Sequence, residues 1–151
     1  MGEIRVKVSF RNELDVSLNA CGKLPKNRVR AIDAEAVVDT GAALLLLPQE
    51  LVASLGLRIV SRMTVILADD RKAEMELAGP IEVTILGRSM MTDCLVGPLG
   101  CELLIGQVVL ERLDLICDPL KQTLTPRPES PFRPTLKMKP FDVESRIAGA
   151  V

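Results

Sequence analysis

The stretch Val37-Val38-Asp39-Thr40-Gly41-Ala42-Ala43 runs directly into Leu44-Leu45-Leu46-Leu47-Pro48, so a carboxylate, a hydroxyl and a glycine interrupt an otherwise apolar block. Burying a carboxylate among such neighbours costs several kcal/mol unless it is hydrogen-bonded or shares its proton. The fold must therefore supply a specific arrangement around Asp39. Gly41 lets backbone amides come close to the carboxylate, and the Thr40 hydroxyl is able to tie one loop to another.

A second feature narrows the chemistry. The chain contains 0 histidines, which removes Ser-His-Asp and Cys-His nucleophile systems, imidazole acid–base work and the usual zinc sites together. Carboxylates, lysines, hydroxyls and thiols remain. The four cysteines, Cys21, Cys94, Cys101 and Cys117, form no Cys-x-x-Cys pair and read as reduced thiols rather than a disulfide framework. The methionines need no cofactor to explain them, and neither a cofactor nor a metal is expected. With 19 basic and 20 acidic residues and no basic stripe interleaved with aromatics, nucleic acid is not an expected partner. No apolar run is long enough to span a bilayer, and Met-Gly-Glu-Ile-Arg-Val is charged from the start. The expectation is a cytoplasmic protein with no membrane partner.

Period-two alternation dominates the rest and points to a mainly β chain with two short helices. Ile4, Val6, Val8 and Phe10 mark a half-buried strand. Asn12-Glu13 reads as a turn, and Leu14, Val16 and Leu18 as a second strand closing a hairpin. After a loop over 20–27, strand character returns over 28–39, and Leu44 to Leu47 reads as a buried strand. Pro48 is suited to start a helix, Gln49 to Leu55, that Gly56 caps in the left-handed conformation with Leu57 packing back. Ile59 to Leu67 and Ala73 to Leu77 form a hairpin around the charged tip Ala68-Asp69-Asp70-Arg71-Lys72. Gly79-Pro80 reads as a turn before the strand Ile81 to Ile85. Strand Cys101 to Gly106 then leads into a second helix, Gln107 to Leu113. Five of the ten prolines fall from Pro126 onward, a density no sheet or helix interior accepts. Residues 1–125 therefore read as one domain and 126–151 as an irregular tail.

The run of two apolar residues followed by Asp39-Thr40-Gly41-Ala42 resembles the active-site loop of the aspartic proteases. With Leu103-Leu104-Ile105-Gly106 and a helix after it, the chain looks like a single-lobe, retropepsin-like member of that clan, of the bacterial or archaeal type. The resemblance spans approximately residues 4–125. It implies a closed acid-protease-like β-barrel, with Asp39 catalytic, Thr40 bracing two loops and Gly41 supplying amide donors. It also implies a hairpin flap that holds a peptide between Ala42 and Leu67, Ala68, Asp69 and Asp70, while Leu104, Ile105 and Gly106 support the catalytic loop.

At 151 residues there is no room for two lobes. A chain with one Asp-Thr-Gly completes such a site only as a homodimer with Asp39 on the two-fold axis. The resemblance thus implies an aspartic endopeptidase acting on peptide or protein. The alternatives are a noncatalytic homodimer that binds peptides in the same groove, or a plain oligomerisation module. The hairpin tip departs from the retroviral pattern, which is glycine-rich there, and Asp69 and Asp70 also read as a solvated tip.

Overall fold

Ile4, Val6, Val8 and Phe10 point inward from β1 (Ile4–Asn12), as their alternation requires, and Phe10 is fully buried. The computed structural model describes residues 2–140. β1 pairs antiparallel with β2 (Ala31–Val38), placing Val8 opposite Ala34 and Phe10 opposite Ile32. The chain then forms β3 (Leu46–Pro48), α2 (Gln49–Ser54), β4 (Arg58–Ile66), β5 (Lys72–Ile85), β6 (Arg88–Gly97), β7 (Leu104–Ile105) and α3 (Gln107–Leu113). The strand order is β1-β2-β7-β3-β6-β5-β4 in one seven-stranded sheet, and β1 also pairs with β5. A separate two-stranded sheet joins β8 (Leu115–Asp118) to β9 (Thr123–Pro126). The protein is mostly β with short helices. No helix of the described residues is long and apolar enough to cross a membrane. The core joins Val8 and Phe10 to Leu45, Leu47, Leu55, Ile81, Val83, Ile85, Ile105 and Val109.

The expected turn at Asn12-Glu13 and second strand over Leu14 to Leu18 are replaced by a helix, α1 (Glu13–Ala20), so the described residues hold three α-helices rather than two. Asn12 caps it by accepting the Asp15 amide at 3.1 Å. The helix turns Asp15 inward, where it accepts from the Arg30 amide at 3.0 Å and from Arg30 Nε at 2.8 Å. The Arg30 guanidinium holds that carboxyl below the usual range, against the opposing effect of burial. Leu14 and Leu18, the residues that mimic strand alternation, lie 49% and 43% exposed. The spacing Asn12-x-x-Asp15 was the helix signal, and the apolar alternation beside it was incidental.

Asn12 does more than cap. It is buried, and its Nδ2 donates to the Leu55 carbonyl at 2.8 Å, fastening α1 to the end of α2. Asn12→Ala removes the cap and leaves a buried carbonyl unpaired, so a loss of about 2–4 kcal/mol is expected. Urea titration checks it as a lower midpoint at unchanged slope.

The second helix follows its expectation closely. Gly56 at φ +63° ends α2, its amide donating to the Ala53 carbonyl at 2.9 Å while the Leu57 amide donates to the Val52 carbonyl at 3.1 Å. Gly79-Pro80, by contrast, is no turn. Both residues lie within β5, where the register slips against β6 between Ala78 and Ile81. A strand irregularity tolerates proline because no ladder hydrogen bond is demanded of its nitrogen. Gly79 is closely approached by β6: an added Cβ would lie 3.2 Å from Asp93 Cα, so the neighbouring strand would have to give by a few tenths of an ångström. The apolar block after the glycine is strand only from Leu46, and the strand expected over Cys101 to Gly106 shrinks to Leu104–Ile105.

Residues 127–135 have no regular structure, yet they are fastened to their own chain. Asp114, buried and left-handed at φ 57° at the end of α3, accepts from the Ser130 hydroxyl and from the Thr135 amide at 3.0 Å. Arg127 Nε lies 2.9 Å from Asp114 Oδ1, an ion-pair approach without hydrogen-bond alignment. These donors, the Ser130 hydroxyl first, lower the Asp114 carboxyl to about 2 against the effect of burial. An unfolded aspartate titrates near 3.9, so the folded state favours the ionised form. The stability Asp114 contributes is complete above about pH 5 and disappears as the pH falls through about 4 to 2. Asp114→Asn should flatten the fall in urea stability across that interval and leave the trend between about pH 6 and 8 unchanged. Equal slopes for both proteins would refute this account of Asp114.

Candidate active site

β2 carries Asp39 out of the sheet, and β7 catches it. Val37 and Val38 pair in parallel with Leu104 and Ile105, and Leu104 also faces Leu46 on β3. A two-residue strand thus lies between the segments entering and leaving the loop. The Val37 amide donates to the Leu103 carbonyl at 2.8 Å and the Asp39 amide to the Ile105 carbonyl at 3.0 Å. Residues 39–42 form a tight turn, the Ala42 amide donating to the Asp39 carbonyl at 3.1 Å. On its far side the loop is held by the first turn of α3, where the Gln107 and Val108 amides donate to the Ala42 and Ala43 carbonyls at 2.8 and 3.0 Å. Those helix-terminal amides have no partner inside their own helix. The loop satisfies them.

Asp39 is half-buried, and Thr40 and Gly41 are exposed. The Gly41 amide donates to Asp39 Oδ1 at 2.9 Å. The problem of a buried carboxylate is therefore met in two ways, by partial exposure and by a backbone amide on one oxygen. A Cβ on Gly41 would lie 3.3 Å from that same oxygen. Gly106 is more tightly enclosed: a Cβ there would meet the Ala42 and Leu44 carbonyl oxygens at 2.7 Å each.

Of the residues expected to form a site, Asp39, Thr40, Gly41 and Ala42 come together with Leu104, Ile105 and Gly106. Leu67, Ala68, Asp69 and Asp70 lie at the exposed tip of the β4–β5 hairpin, whose hydrogen bonds are internal among the described residues. The Leu67 amide donates to the Arg71 carbonyl at 2.8 Å, and Arg71 Nε donates to Asp69 Oδ2 at 2.6 Å. Asp70 takes the left-handed conformation, φ 66°, that closes such a turn. A cleft of about 280 Å³ beside Gly79-Pro80, lined also by Val60 and Met91, does not include Asp39. Four cysteines are free thiols, and burial raises Cys94 to about 12, leaving it un-ionised and inert.

Sequence reasoning missed Arg88. It is buried on β6, donating from Nη1 to the Leu113 carbonyl at 2.8 Å and to the Asp114 carbonyl at 3.1 Å, and from Nη2 to the Ser130 carbonyl. In sequence it follows Gly87 and looks like the first residue after a surface turn. Only tertiary contacts 25 to 42 residues away bury it.

No protein-family model matches the chain. No curated protein matches it either. Among solved structures, the chain is similar to EIAV protease complexed with the inhibitor HBY-793, at 20% identity, over 52% of this chain and 74% of that one, with a TM-score of 0.45. That likeness stands as a resemblance, and the functional reading rests on this chain's own residues.

Proposed function

We propose that this chain is an aspartic endopeptidase of the single-lobe, retropepsin-like bacterial or archaeal kind, a protease domain over residues 1–125 with a tail after it, active as a homodimer. The observation that carries the reading is the bracing of the Asp39-Thr40-Gly41 loop from both sides by 103–108, which leaves one carboxylate oxygen bound to the Gly41 amide. An acid held this firmly at a half-exposed position is organised for chemistry. The β1–β5 pairing supports the closed-barrel part of the reading.

In the dimer two Asp39 side chains face each other across the two-fold axis. Like charges at hydrogen-bond distance are not both ionised cheaply, so the pair holds one proton. The ionised member takes a proton from a water between them as that water attacks the scissile carbonyl. The protonated member donates to the carbonyl oxygen, giving a tetrahedral intermediate with no covalent adduct. Collapse returns a proton to the leaving nitrogen. Thr40, exposed beside the axis, braces the two loops, and Ala42 with the hairpin residues Leu67, Ala68, Asp69 and Asp70 holds an extended peptide by strand addition.

The competing reading is a noncatalytic peptide-binding or oligomerisation module on the same fold. The Asp39–Gly41 hydrogen bond favours it, because a turn aspartate makes the same bond with no chemistry to do. Incubation with a diverse peptide library across about pH 3 to 7, with sedimentation of the same sample, separates the two. Cleavage by a dimer supports the peptidase, and an intact library at every pH refutes it.

A further inference from the structure

α3 spans seven residues, a rod about 10 Å long, and both of its ends are tied down. At the first end the Gln107 and Val108 amides hold the Ala42 and Ala43 carbonyls of the loop that carries Asp39. At the other, Arg88 grips the Leu113 and Asp114 carbonyls and reaches across to the carbonyl of Ser130. Asp114 is in turn clasped by the Ser130 hydroxyl and the Thr135 amide. An arginine 6% exposed, with backbone carbonyls for acceptors, is a costly choice for simply filling space. Its five donors in a rigid fork suit it to fixing several backbone segments at once.

We propose that Arg88, backed by Asp114 and Ser130, is a positioning residue for the catalytic loop, holding α3 at the placement where its first amides meet Ala42 and Ala43. Arg88 touches no reacting atom. It acts through the helix, and residues 130–135 belong to the same clamp. The consequence for turnover rests on the peptidase reading above, whereas the consequence for the loop does not.

The first amides of a helix gain no protection from their own helix, so hydrogen exchange at Gln107 and Val108 reports the loop contact directly. In Arg88→Met these two amides should lose at least about tenfold in protection relative to Val83 and Ile85 in β5. Arg88→Lys should restore part of that loss, and Leu55→Ala, a general core destabilisation at a residue whose backbone bonds go to Leu51 and Asn12 rather than to the clamp, should lower all four alike. With a cleavable peptide, Arg88→Met should reduce kcat by about ten- to a hundredfold with KM within about twofold, the pattern of misplaced catalytic groups. Protection at Gln107 and Val108 that falls only in step with β5 overturns the clamp. A selective exchange change with unaltered kcat overturns the positioning role. If Arg88→Met does not fold, Arg88→Lys and Ser130→Ala are measured instead, and the same two results decide. Wild-type protein that cuts no peptide sinks the peptidase reading alone, because the exchange comparison still judges the clamp.

Discussion

Asp39→Asn is expected to keep wild-type stability and to lose peptide hydrolysis by at least about 10²–10⁴-fold, the range over which a general acid–base pair contributes. The substitution is nearly isosteric, and asparagine keeps the oxygen that accepts the Gly41 amide at 2.9 Å. The turn over residues 39–42 therefore survives, since asparagine is as much at home there as aspartate. What disappears is the ability to take a proton from water or to pass one to a carbonyl. A residue that only caps a turn would tolerate the exchange with no functional change, so this variant separates chemistry from architecture. Mixing adds a sharper readout. If each site needs one Asp39 from each copy, an equal, freely exchanging mixture of wild-type and Asp39→Asn chains contains intact sites in about one quarter of its dimers. Specific activity should then fall to about one quarter, against about one half if each chain holds a complete site. A mixture that retains half refutes the shared site even if the single variant is dead.

Local signals were legible where one segment carries its own reasons. α2 starts after Pro48 and ends in the Gly56 cap because the proline, the helical spacing and the glycine agree, and Gln107–Leu113 is helical over the expected span. Asp39 was visible because a carboxylate among β-branched and leucine residues has few stable homes. The errors have a common cause. Leu14, Val16 and Leu18 alternate like a strand, yet Asn12 and Asp15 find distant partners at Leu55 and Arg30 that a local period does not register. Gly79-Pro80 has turn chemistry but sits where β5 slips register between two neighbours. The grip of Arg88, Asp114 and Ser130 was invisible for the same reason: each residue is polar and ordinary in sequence, and burial arises only when three separate segments meet. Of the expected tail over 126–151, Pro126 ends β9, 127–135 have no regular structure and 141–151 lie outside the described residues, while the attachment through Ser130 and Thr135 follows only from where Asp114 lies.

Gly106→Ala should be the most damaging single-methyl change in the described chain. The backbone there, φ −98° and ψ −176°, is one any residue adopts, so alanine meets no conformational objection. Space alone forbids it. The new Cβ would lie 2.7 Å from the carbonyl oxygens of Ala42 and Leu44 and 2.8 Å from the Ala43 carbonyl carbon. These are backbone atoms, and the adjacent amides of Gln107 and Val108 hold two of the three carbonyls in place. Relief therefore requires α3 and the Asp39 loop to separate, breaking the contacts that brace the carboxylate. The expected loss is about 3 kcal/mol or more, the upper part of the range for overpacking a filled site. Where folded protein remains, hydrolysis should drop by about a hundredfold from displacement of the catalytic groups. Gly87→Ala is the natural control, because that glycine has φ +77° and open space around its Cβ position. It should suffer only the backbone strain of a left-handed alanine, about 1–2 kcal/mol, and keep its activity. Thermal melts and peptide turnover on both variants check the pair: a Gly106→Ala protein as stable and active as Gly87→Ala would mean that the loop and α3 are not in contact as described, and the bracing of Asp39 would fall with it.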